Sequence, residues 1–193
     1  GAIHQRIPKH LRQHIQINGE QTVELDYSAY HIRMLYHQKG IDYKDDPYSA
    51  CDGNDNRDLY KAVGLIAING NINERKKVYG AIREEMKKRA IPIPPAKNPV
   101  IELVERFRGA HPDIADCLFA DKGVDLMNID SRIMNNILMR LLGTGIAGLP
   151  VHDSIVVGEQ HKDFLYEIMM EEYKKEMGFY PIVDVKKKMI DVT

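Results

Sequence analysis

The sequence predicts a mixed α+β fold. Three observations carry that reading. Apolar and polar residues alternate over 20 to 26, a long apolar pattern recurs at helical spacing from Val124 to Leu142, and apolar strand-like residues sit on both sides of His152 and Asp153. With 193 residues, 44% hydrophobic and 28% charged, the chain can bury a core and is most simply read as one domain, residues 1 to 193, carrying an inserted lobe over 44 to 122.

The elements follow in order. "EQTVELD" alternates Val23 and Leu25 with polar neighbours and follows the turn-like Asn18 and Gly19, so it reads as a strand. Ser28 is placed to cap a helix running to about Lys39, stopped by Gly40. A polar loop, "DDPYSACDGNDN", leads to a helix from Arg57 to about Ile68. A charged helix from Asn73 to Ala90 ends at the proline-rich "IPIPPAKNP". Further helices are expected around 100 to 108 and 112 to 120.

The Val124–Leu142 pattern places Leu126, Ile129, Ile133, Ile137 and Leu141 on one face of a core helix. Asp130, Ser131 and Asn135 or Asn136 interrupt it; they are either its wet face or a polar edge turned toward a site. "GIAGLPVHDSIVVGE" reads as two strands meeting at His152–Asp153, followed by a helix over 161 to 177 and a last strand, "YPIVDVKKK".

Net charge is −1, from 27 basic and 28 acidic residues, which argues against an indiscriminate nucleic-acid coat but leaves room for local grooves. Basic residues crowd Arg6 to His14, Arg75 to Arg89 and Lys186 to Lys188; taken singly, each run reads most simply as a solvated face. Cys51 and Cys117 sit in no metal-ligand or redox spacing and read as ordinary thiols. No apolar stretch approaches the roughly 20 residues that span a bilayer, and no signal pattern opens the chain. No membrane partner and a cytoplasmic location are therefore expected.

Asp26 and Asp153 each stand where an apolar strand ends or turns. Taken alone, an aspartate there caps a turn. Taken as a pair on adjacent strands, two carboxylates can hold two divalent ions roughly 4 Å apart, the arrangement that activates an attacking hydroxyl and neutralises a leaving pyrophosphate.

Three ordered motifs favour the pair. "DYSAYHIR", Asp26 to Arg33, resembles motif A of the family A DNA polymerases, usually DYSQIELR. "RDLYKAVGLIAING", Arg57 to Gly70, resembles motif B, usually R-x-x-x-K-A-I-N-F-G-L-I-Y-G, without a gap. "VHDSIVV", Val151 to Val157, resembles motif C, which is HDE in the DNA enzymes and HDS in the single-subunit RNA polymerases of phage and mitochondria. The flanks "QRIP…LRQHI" and "YPIVDV" are similar to the family's as well.

The resemblance implies a palm-like antiparallel sheet backed by helices, with a reduced helical fingers lobe between motifs A and C. It implies a template-directed nucleotidyltransferase, either a reduced family A-type DNA polymerase or the polymerase part of a phage or plasmid replication protein. Mg²⁺ would be the cofactor, with Mn²⁺ as a substitute. The partners would be a primer–template nucleic acid and nucleoside triphosphates.

Asp26 and Asp153 would be catalytic and would bind the metals together with the Tyr27 backbone carbonyl. Arg57 and Lys61 would hold the nucleotide triphosphate, with Tyr27, His31, Leu65 and Asn69 around the nucleotide. His152, Arg33 and Ser154 would serve the nucleic acid. The departures are specific: His31 stands where the family has a glutamate that walls off the sugar 2′-hydroxyl, Leu65 replaces the stacking phenylalanine, and Asn69 replaces a tyrosine.

No segment corresponds to the family's thumb, so a thumb or upstream domain is an expected partner. Without it, binding to a primer–template should be weak and salt-sensitive. The alternative is a palm-like nucleic-acid-binding or structural replication module without turnover.

Overall fold

The computed structural model describes residues 3–53, 56–93 and 97–186. Lys187 and Lys188 of the expected last strand, Asn54 and Asp55 of the polar loop, and Pro94 to Ala96 of the proline-rich stretch lie outside the described residues. The chain divides into two compact units: residues 1–30 with 129–193, and residues 31–128.

The first unit is built on an antiparallel sheet. After two short helices, α1 (Ile3–Arg6) and α2 (Lys9–Arg12), come β1 (Gln16–Ile17) and β2 (Glu20–Tyr27). Asn18 and Gly19 turn between them with φ of 53° and 81°, left-handed values that suit an Asn-Gly turn. Later in the chain come β3 (Leu149–Val151), β4 (Ser154–Gly158) and β5 (Val183–Val185). The strand order is β1-β2-β4-β3, with β5 also pairing β2, and every pair is antiparallel. The expected α+β architecture, an antiparallel sheet backed by helices, is what the structure shows.

Strand β2 alternates as its sequence requires. Leu25 and Tyr27 are buried and pack toward α8 (Lys162–Met177), where the Tyr27 hydroxyl donates to the Met169 carbonyl at 2.8 Å. Glu24 and Asp26 therefore share the opposite face. The core helix α7 (Gly123–Gly143) belongs to this unit from Ile129 onward and buries Ile133, Ile137 and Leu141. It is tied to α8 by Arg132 on Glu176 at 2.9 Å and by Arg140 on Glu171 at 2.6 Å. A Cβ at Gly148 would lie 2.6 Å from Leu141 Cδ1, so any larger residue there would make the buried Leu141 side chain shift.

The second unit is helical. It contains most of α3 (Tyr30–Gln38), then α4 (Arg57–Asn69), α5 (Arg75–Lys88) and α6 (Pro99–Ala110). Its centre holds Phe107, fully buried, with its ring 4.7 Å from His111 and 6.3 Å from Tyr60. His111 Nε2 donates to the Pro47 carbonyl at 2.9 Å, which leaves Nδ1 to accept from the Tyr36 hydroxyl at 2.7 Å. Burial holds His111 below the usual imidazole range. Phe107→Ala is expected to cost roughly 3–5 kcal/mol of stability in urea denaturation; a loss below 1 kcal/mol would contradict this packing.

Two expectations are corrected. The helix expected at 112 to 120 is a single 3₁₀ turn, Pro112–Ile114. Phe119 and Asp121 turn the chain with φ of 57° and 56°, and their N–H groups bond the Ala67 and Gly70 carbonyls at the end of α4. The helix expected from Asn73 starts at Arg75, after a 3₁₀ turn in which the Asn71 side chain accepts from the Asn73 amide. The chain reaches the third helix through Ser28, whose N–H donates to the Ile182 carbonyl at 2.9 Å, and Ala29 at φ 48°, and α3 starts two residues after Ser28, at Tyr30; its end at Gln38 lies one residue short of the expected Lys39.

Candidate functional site

The register of β2 against β4 sets Asp26 opposite Ser154, and the Tyr27 N–H donates to the Asp153 carbonyl at 3.3 Å. Asp153 occupies the two-residue turn between β3 and β4 with His152, which is exposed and has φ 54°, a left-handed value that histidine tolerates better than most residues. The carboxylates of Asp26 and Asp153 come within hydrogen-bonding reach of each other.

That juxtaposition is electrostatically costly. Burial and the adjacent Asp153 charge push Asp26 up to about 7, against the opposing pull of Lys186. Asp26 Oδ1 is buried and receives no hydrogen bond among the described residues. On α7, Asp130 is pushed up to about 6 by burial and by Asp153, against the opposing pull of the nearby Tyr30 hydroxyl. Of the polar residues interrupting α7, Asp130 thus faces the site, while Ser131 and Asn135 are exposed and Asn136 is half-buried.

Glu24 experiences the reverse balance. Burial works against its charge, yet hydrogen bonds from Lys186, Ser154 and Arg12 hold it down to about 2. Lys186 Nζ lies 2.8 Å from Glu24 Oε1 and 3.1 Å from Asp26 Oδ2. Ser154, fully buried, has Oγ at 2.7 Å from Glu24 Oε1 and 2.8 Å from the Val151 carbonyl.

A floor of tyrosines lies under the site. Tyr27 and Tyr30 stack at 4.4 Å, nearly parallel at 6°, and Tyr173 tilts against both at 5.6 and 5.8 Å. Burial, first of all, drives the phenols of Tyr27 and Tyr30 far above their ordinary range. They stay neutral and supply a dry wall that strengthens charge interactions above it.

Among solved structures, a polymerase domain is similar. It is the POL domain of Pol1 from M. smegmatis, in complex with DNA primer-template and dNTP, at 16% sequence identity and a TM-score of 0.46, covering 94% of this chain and 43% of that chain. The chain thus spans less than half of that protein's chain. No protein-family model and no curated protein matches it.

In the helical unit, α4 carries Arg57 and Lys61 four residues apart on one face. Arg57 Nε is bound by the Asp46 carboxylate, and its guanidinium lies 5.7 Å from the centre of the Tyr48 ring. Burial disfavours the Asp46 charge, but Arg57, the Tyr48 amide and Ser49 hold it below the usual carboxylate range. Lys61 and Leu65 are exposed, and the exposed Asn69 donates to the Leu65 carbonyl at 3.0 Å.

His31 is half-buried in the first turn of α3. Arg33 is buried at 4% exposure, with its guanidinium on the carbonyls of Tyr43 and Asp45. That makes Arg33 a brace for the loop after α3.

Sequence reasoning missed Glu24, Arg12 and Lys186 as parts of the acidic cluster. Strand alternation held a signal for Glu24, because position 24 shares a face with position 26. Arg12 and Lys186 were legible only as members of basic runs.

The donor set suits a hard divalent cation. Mg²⁺ and Mn²⁺ prefer carboxylate and carbonyl oxygens, and the buried, donor-less Oδ1 of Asp26 beside Asp153 offers an anionic pair that such an ion would neutralise. Among the described residues, no group of three or more His, Cys, Asp or Glu side chains is arranged to hold a metal. The motifs imply a smaller set, two carboxylates and the Tyr27 carbonyl.

Proposed function

We propose that the chain is a template-directed nucleotidyltransferase of reduced family A polymerase type, using Mg²⁺ or Mn²⁺. The observation that carries this reading is the side-by-side placement of the Asp26 and Asp153 carboxylates, brought together by antiparallel β2 and β4 from motifs far apart in sequence. Two half-buried carboxylates side by side disfavour each other's charge, and a bound divalent cation would relieve that repulsion.

Asp26, Asp153 and the Tyr27 carbonyl would hold the metal ions. Bound divalent ions would lower the barrier to attack by a primer hydroxyl and neutralise the departing pyrophosphate. The tyrosine floor keeps the base of the site dry. His152, exposed on the turn next to Asp153, would meet a primer terminus.

Arg57 and Lys61 would bind the triphosphate. With Nε engaged by Asp46, the terminal nitrogens of Arg57 would bind phosphate oxygens, and the Asp46 and Tyr48 contacts restrict its rotamers in advance. On the exposed face of α5, Arg75, Lys76, Arg83 and Lys87 would add salt-sensitive contacts to nucleic-acid phosphates.

Lys61→Ala is expected to weaken binding of a nucleoside triphosphate about tenfold or more at unchanged melting temperature, because Lys61 is exposed and supports no core. Isothermal titration with a dNTP and Mg²⁺ measures it, and equal affinity in the variant would remove Lys61 from the site. A second reading is a palm-like module without turnover. Lys186 favours it, since its ammonium supplies Asp26 with a cation directly. Incorporation of a labelled nucleotide into an annealed primer separates the two readings.

A further inference from the structure

The pairing of β5 with β2 brings Lys186 to the acidic cluster by its backbone as well as its side chain. The Lys186 N–H donates to the Glu24 carbonyl at 2.9 Å, and from that fixed point Nζ reaches Glu24 Oε1 at 2.8 Å and Asp26 Oδ2 at 3.1 Å. Glu24 is itself clamped by Arg12, whose Nε and one terminal nitrogen each lie 3.3 Å from its oxygens, and by Ser154 at 2.7 Å. Glu24 is therefore held by Arg12 and Ser154, and Lys186 is anchored against it.

The consequence for Asp26 is geometric. Its Oδ2 is bound by the lysine, so its other oxygen, Oδ1, is the one left buried without a donor. We propose that Lys186 is a resident counter-ion of the site, anchored on Glu24, that holds Asp26 by one oxygen and weakens its hold on a divalent cation. Lys186 is a positioning residue: it touches no reacting atom and acts through its hold on Asp26 and through its own charge.

Among the described residues, two cations, Arg12 and Lys186, stand against four carboxylates that are not exposed, Glu24, Asp26, Asp130 and Asp153, with the exposed Asp184 opposite Asp26 in the β2–β5 register. One divalent ion would close that deficit, but it would do so a few ångströms from the Lys186 ammonium. At that separation the repulsion between the two cations outweighs thermal energy even at a high effective dielectric. The lysine thus makes the metal-free site tolerable and the metal-bound site weaker than two carboxylates alone would make it.

This inference rests on the reading that Asp26 and Asp153 take a divalent cation, and the experiment separates the two. Mn²⁺ binding to the full chain is titrated by electron paramagnetic resonance for the wild type, Lys186→Met, Lys186→Arg, Glu24→Gln and Asp153→Asn. Lys186→Met is expected to bind Mn²⁺ about tenfold more tightly, and Lys186→Arg to restore the weak wild-type affinity. Glu24→Gln, which leaves the lysine's whole charge on Asp26, is expected to bind more weakly than wild type.

A lysine with a merely structural role would give losses in both variants rather than opposite changes. Equal affinity in wild type and Lys186→Met, with Asp153→Asn still abolishing binding, would overturn the counter-ion role and leave the metal reading standing. No Mn²⁺ binding by any variant would overturn both. If Lys186→Met fails to fold, Glu24→Gln decides alone: unchanged or tighter binding refutes the proposal.

Discussion

Asp153→Asn is expected to stabilise the metal-free protein at pH 8 by about 1–3 kcal/mol, raising its melting temperature by several degrees, while lowering nucleotide addition about a thousandfold or more. The two effects share a cause. Asp153 raises the proton affinity of both Asp26 and Asp130, so its charge is repelled from two sides in the folded state. Asparagine keeps the shape and removes the repulsion, and it also removes the anion that a metal needs. Thermal denaturation in EDTA paired with an extension assay measures both. A variant that is both less stable and fully active would show that the carboxylates neither repel each other nor act together.

The second large effect is on pH dependence. Asp26 and Asp130 are held in the fold at about 7 and about 6, above the ordinary 3.8. Folding therefore favours their protonated forms, and the stability they contribute is present below pH 4 and lost as pH rises through 6 and 7. The loss should amount to several kcal/mol. Glu24, held down to about 2, acts oppositely, and its contribution is lost only as pH falls below the ordinary 4.5 toward 2.

Buried His37 and His111, both held below the usual imidazole range, also oppose the trend, because their contribution falls away in acid. The difference between Asp153→Asn and wild type cancels them. That difference should grow from pH 5 to pH 8 in EDTA and shrink when Mg²⁺ is added. A difference that stays flat across the window would mean that the acidic cluster does not titrate with the fold.

Much of the fold was legible because its elements obey local rules. The alternation of Val23 and Leu25 marked β2, the helical spacing of Ile133 and Ile137 marked α7, and the apolar runs flanking His152 and Asp153 marked the β3–β4 hairpin. The failure at 112 to 120 has a plain cause. Ile114, Leu118 and Phe119 are buried, as a helical pattern would suggest, and the Leu118 N–H still bonds the Ile114 carbonyl, but Phe119 turns the chain with φ 57° and gives its N–H to the Ala67 carbonyl near the end of α4, so the turns do not continue as a helix.

The site was legible in part. Asp26 and Asp153 stood out only through ordered motifs, since a lone aspartate at a strand end is ordinary. Glu24 could have been found from strand period. Lys186 could not, because its partners are set by how β5 pairs with β2, a register between segments at opposite ends of the chain. Arg33 shows the converse: a motif position whose side chain is occupied by nearby carbonyls.

The central claim is that Asp26 and Asp153 together support metal-dependent addition of nucleotides to a primer. Its most direct measurement is extension of a labelled primer annealed to a longer template by the purified chain, with dNTPs, in Mg²⁺, in Mn²⁺ and in EDTA. The expected result is slow, non-processive addition that follows the template, is stronger with Mn²⁺, weakens steeply as salt rises, and is absent in EDTA and in Asp153→Asn. Complete inactivity in every metal, from a folded protein that binds Mn²⁺ at Asp26 and Asp153, would contradict it.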